Sequence, residues 1–110
     1  MALDVGQLVS QMLAAAAGPL KTGGPKVLSY AQTEFQKIAQ TIASIEAGVL
    51  AGTMTPQEGA LLLDMQKNAT RAVLAAVEGM SLIVAEQAIN AALNVVKTAV
   101  NTALRFTLIP

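Results

Sequence analysis

Glu78 and Glu86 are the carboxylates that stand in the most apolar surroundings of this 110-residue sequence. A carboxylate in such a setting is raw material for general acid–base chemistry. The two lie eight residues apart, about 80° out of phase at 100° per residue, so they do not converge on one substrate. They read instead as charges on a helix surface, or as partners of Lys97 or Arg105 in contacts between chains. The sequence has no histidine and no cysteine, which removes the commonest general base, the commonest metal ligand and every thiolate. A di-iron bundle needs Glu-x-x-His pairs, and these are absent. Gly18 to Gly23 has the glycine spacing of a phosphate loop, but Gly24-Pro25 comes next, where Lys and then Ser or Thr are required. No enzyme, cofactor or metal site is therefore expected. Seven basic residues balance seven acidic ones, with no basic cluster to neutralise a phosphate backbone, so no nucleic-acid partner is expected either.

The elements that must position these residues are helical. Apolar residues make up 54% of the chain and charged residues 13%, against about 25% charged in an average domain. Aromatics are limited to Tyr30, Phe35 and Phe106, so the core has to be built from aliphatic side chains and alanine. Residues 4–17 read as a helix capped by Asp4, with Gln7 three residues on. Gly18-Pro19 ends it, and residues 18–25 form a linker. Residues 26–51 form a second helix with a heptad seam, Leu28, Ala31, Phe35, Ile38, Ile42, Ile45 and Val49. A row of alanines beside the seam (Ala39, Ala43, Ala47, Ala51) invites close approach by another helix. Gly52 stops this helix.

Residues 52–55 are a turn, and Thr55, Pro56 and Glu58 form a complete capping box for a third helix. No comparable stop appears before the last few residues. The spacing predicts one helix over 56–105, about 75 Å long if straight, either continuous with a buried face that rotates or kinked near Gly79, where two polar stripes fall out of phase. The first stripe is Asp64, Lys67, Asn68, Arg71 and Glu78; the second is Glu86, Asn90, Asn94, Lys97, Asn101 and Arg105. Residues 106–110 form an apolar tail, either frayed or packed on a neighbouring subunit.

The short turn makes the second and third segments antiparallel neighbours. The expected architecture is a single all-α domain, 1–110, shaped as an elongated antiparallel hairpin; a compact four-helix bundle broken at Gly79 is the alternative. In the hairpin, Leu28, Phe35, Ile38, Ile42, Ile45 and Val49 hold the seam. The stretch Ala72–Ala85 is apolar nearly all round, which calls for burial all round. Leu82, Ile83, Ile89, Leu93, Val96, Val100, Phe106, Leu108 and Ile109 are then the residues expected to carry contacts between subunits.

Small, cysteine-free, alanine-rich and built as a helical hairpin, the chain resembles bacterial filament, needle and rod subunits in general plan; no motif residue carries over. The expected function is a non-enzymatic structural protein that self-assembles into a homo-oligomer, filament or tube, with itself as partner. Two alternatives are a membrane-active amphipathic protein and an adaptor that binds a partner's helix. The longest apolar stretch is 14 residues, short of the roughly 20 a span needs, so membrane association is not the favoured reading. Asp4 stands where a secretory signal carries positive charge, and no Lys or Arg precedes Lys21, so a cytoplasmic location or leaderless export is expected.

Overall fold

The structure, a computed structural model, describes residues 3–20, 25–78 and 80–110, with the side chains of Pro25, Lys26, Leu28, Val77 and Glu78 outside the description. The regular elements in these residues are four α-helices: α1 (Val5–Leu20), α2 (Pro25–Leu50), α3 (Pro56–Glu78) and α4 (Leu82–Leu104). Local chemistry accounts for most of their ends. The Gln7 amide donates to Asp4 Oδ1 at 3.0 Å, which caps α1. Gly52, at φ +76°, turns the chain out of α2. The amides of Thr53 and Met54 then donate back to the Gly48 carbonyl, at 2.9 and 3.1 Å, satisfying an acceptor that the helix end would leave open. The capping box of α3 forms in both directions: the Glu58 amide donates to Thr55 Oγ1 at 3.1 Å and the Thr55 amide to Glu58 Oε1 at 2.9 Å.

Two expected features are corrected. The helix expected over 56–105 is two helices of 23 residues each. Ser81 caps the second, with extended backbone (φ −64°, ψ 151°) and its side chain accepting from the Val84 amide. This start is weakly encoded, because Val84 occupies the position where a capping box carries Glu or Gln. Gly79, the candidate position for a kink, lies outside the described residues. Folding back is favoured physically because it places the apolar face of α4 on α1 instead of in water. The molecule accordingly measures 42 × 22 × 20 Å, far short of the roughly 75 Å of a straight 50-residue helix. Its radius of gyration of 13.5 Å is close to the value of about 13 Å for a compact chain of this length.

The second correction concerns Gly18-Pro19, which does not end α1; the helix runs on to Leu20, with Pro19 in its last turn. Proline removes one backbone donor. Against that cost, the extra turn places Leu20 fully inside the core. Residues 21–24 of the expected linker lie outside the described residues.

Chain order and packing define a four-membered ring. Helix α1 packs most extensively on α4 and also on α2, α2 on α3, and α3 more lightly on α4; α2 also touches α4 across the middle. The tight α1–α4 pairing has a compositional cause. Ala16 on one helix and Ala85, Ala88 and Ala92 on the other are all buried, and small residues let helix backbones approach. At the centre, Met12, Phe35, Ile38, Ile42, Ile45, Leu74, Val96 and Val100 are fully enclosed. Of the residues in the α2 seam, Phe35, Ile38, Ile42 and Ile45 are buried. Val49 is only partly covered, and the Leu28 side chain is outside the description. Of the alanine row, Ala39 is buried, Ala43 half-buried, and Ala47 and Ala51 exposed.

The approach of α3 to α2 depends on Gly59. A Cβ at this position would lie 2.7 Å from Ile45 Cγ2, and a β-branched side chain in a helix has no second comfortable rotamer. Overpacking costs about 1–3 kcal/mol, while alanine gains about 1 kcal/mol of helix propensity over glycine. Gly59→Ala is therefore expected to lower stability by up to about 2 kcal/mol in urea denaturation; Gly59→Ala combined with Ile45→Ala should lose the steric part of that penalty.

Candidate interaction surface

The run Leu61-Leu62-Leu63 on α3 spans 200° of helix in three consecutive residues, so no single core can take all three. The structure chooses Leu63, which is buried; Leu61 is 61% exposed and Leu62 39%. The buried line of α3 is Gly59, Leu63, Thr70 and Leu74. On the far side of the helix, Leu61, Met65, Ala69, Ala72 and Ala76 succeed one another at spacings of three and four, and every one is exposed. Side chains at such spacings touch along a helix, so these residues form one continuous apolar stripe. Met65 is 59% exposed. Asp64 and Asn68, both exposed, and Arg71, half-buried, flank the stripe on one side; Arg71 Nη2 donates to Asn68 Oδ1 at 3.2 Å. Leu62 and the half-buried Val73 flank it on the other. Helix α3 is therefore apolar on two opposite faces, and among the described residues only one of them is covered.

The residues expected to carry contacts between subunits are largely used within the chain. Ile89, Leu93, Val96 and Val100 are buried in the bundle, because the break before α4 lets that helix fold onto α1. Leu108 and Ile109 are buried too, and Phe106 is half-buried against the same core. The tail neither frays nor reaches away. Asn101 holds it: Oδ1 accepts from the amides of Leu108 and Ile109 at 2.9 and 3.0 Å, and Nδ2 donates to the Ile109 carbonyl at 2.9 Å. The tail ends beside α3, where Ile109 and Pro110 border a groove with Lys67, Leu93 and Asn94. Of the expected set only Leu82 and Ile83, 60% and 70% exposed, remain open. Sequence periodicity did not single out the stripe on α3, although the Leu61-Leu62-Leu63 run was its signal.

The polar side chains among the described residues are distributed over several faces of the bundle. Glu86 is exposed, and the Glu78 side chain is outside the description. A second groove of about 280 Å³ between α3 and α4 mixes both signs of charge, with Asp64, Lys67, Arg71 and Glu86 on its walls. Glu34, nearly buried, pairs with Lys37 at 2.9 Å. Glu46 is only 1% exposed, and its Oε1 has no hydrogen-bond partner among the described residues. Among those residues no group of His, Cys, Asp or Glu is placed to hold a metal ion, and no helix is long and apolar enough to cross a membrane. Comparison with known protein families, with curated proteins and with solved structures finds no match to this chain.

Proposed function

We propose that this is a non-enzymatic structural protein that self-associates through an apolar helix face. The observation that carries this reading is the outer stripe of α3, with Leu61 and Met65 each about three-fifths exposed on a helix whose opposite face is already in the core. Exposed apolar side chains scattered singly are ordinary; a continuous row along most of a helix marks an association surface. The balanced net charge leaves no long-range repulsion to keep copies apart. Leu82 and Ile83 at the start of α4 supply a second apolar site. Two different contacts on one chain are what extend a closed pair into a larger assembly or a filament.

Sedimentation equilibrium over the micromolar range tests the reading. The natural chain should show a concentration-dependent mass above the monomer. Met65→Lys, which alters no buried residue, should weaken association at least about tenfold by placing a charge at the centre of an apolar interface. A natural chain that stays monomeric at every concentration would refute the reading.

A further inference from the structure

Resting on that reading, we infer that the occupant of the α3 stripe is a second copy of the same helix, packed antiparallel about a two-fold axis that passes beside Asn68. The stripe is graded in size along the chain, with large side chains at its start (Leu61, Met65) and alanines at its end (Ala72, Ala76). Parallel packing would set large against large and leave the alanine end gapped. Antiparallel packing sets Leu61 against Ala76 of the second copy and Met65 against Ala72, each twice by symmetry, so that knobs meet holes.

The flanks point to the same register independently. On the polar flank, antiparallel packing brings Asp64 of one copy to Arg71 of the other, again twice. On the apolar flank it brings Leu62 to Val73. Every one of these pairs is centred within half a residue of Asn68. A polar residue at the axis is the device by which paired helices fix register. In the parallel arrangement the two-fold axis runs along the helices and sets each polar flank against the apolar flank of the other copy, so Asp64 and Arg71 would lie beside Leu62 and Val73 and meet no opposite charge. A face of this length, about 23 Å from Leu61 to Ala76, falls at the small end of specific interfaces, on the order of 1,000 Å² in total. The pair is therefore expected to exchange at micromolar concentration.

The sequence contains no cysteine, so single-cysteine variants report the geometry without background. The cysteine positions are all exposed in the single chain, and circular dichroism checks that each variant keeps its helices. Under mild oxidation Asn68→Cys should cross-link to itself. Leu61→Cys mixed with Ala76→Cys should give the mixed disulfide, while each alone should not. Charge exchange provides a second measurement. Asp64→Arg alone and Arg71→Asp alone should each weaken association about fivefold, on the scale of exposed ion pairs. An equimolar mixture of the two variants should recover the natural affinity, because each then meets its opposite charge. If the natural chain self-associates but Leu61→Cys links to itself, the antiparallel register is overturned and the self-association reading survives. If no variant cross-links and the natural chain is monomeric, both fall.

Discussion

Replacing Asn101 by alanine should destabilise the protein by about 2–3 kcal/mol, which for a domain of this size lowers the melting temperature by on the order of 10 °C. One side-chain amide makes three bonds to the backbone of residues 108 and 109, all between 2.9 and 3.0 Å. The tail it holds carries Leu108 and Ile109 into the core, 4% and 5% exposed. Without Asn101 two amides and a carbonyl lose their partners where water reaches them poorly. The tail can recover hydration only by lifting out, and that forfeits the burial of both side chains. The effect can be separated from ordinary surface mutation by a thermodynamic cycle. In a chain ending at Thr107, Asn101→Ala should cost less than about 0.5 kcal/mol, because additivity fails only between groups that interact. Equal costs in the full and shortened chains would show that the clasp contributes nothing.

The second large effect runs in the opposite direction. Glu46→Met is expected to stabilise the fold by about 1–3 kcal/mol. Glu46 lies on α2 one residue after the fully buried Ile45. It is itself 1% exposed, with Oε1 in contact with no donor among the described residues. A carboxylate oxygen removed from water and given no partner costs free energy that a methionine of similar length does not. Urea unfolding of the two proteins, with equal m-values, provides the measurement. Glu46→Gln should fall between them, since it removes the charge but keeps polar atoms. A loss of stability in Glu46→Met would mean that this oxygen is satisfied in solution, and that the carboxylate contributes to the fold.

Much of the secondary structure was legible in the chain because its signals are local. Asp4 starts α1, Gly52 stops α2, and the pair Thr55 and Glu58 starts α3 by reciprocal bonds; each acts within three or four residues and needs no other part of the molecule. The burial of Phe35, Ile38, Ile42 and Ile45 accords with the heptad spacing in the same way. The misread features are those with weak or competing local signals. Pro19 is tolerated because a helix end can lose one donor when Leu20 reaches the core. The start of α4 rests on Ser81 alone, without an acidic or amide partner at Val84, and is masked by the strong helix propensity on both sides of it.

Sequence is thus sufficient to show that the chain is helical, to place the start of three of its four helices within a residue or two, and to reveal more apolar surface than one simple hairpin can bury. Which apolar face turns inward was settled by packing between the helices. Ile89, Leu93, Val96 and Val100 went into the bundle and the tail went with them, while Leu61, Leu62 and Met65 on α3 stayed out. Hydrophobic burial has no direction: it rewards any arrangement that removes apolar area from water. When a helix is apolar on two sides, the choice between them falls to steric fit. Here that fit is the absence of a side chain at Gly59, which lets α3 settle on Ile45 with Leu63 and Leu74 inward and its other face open.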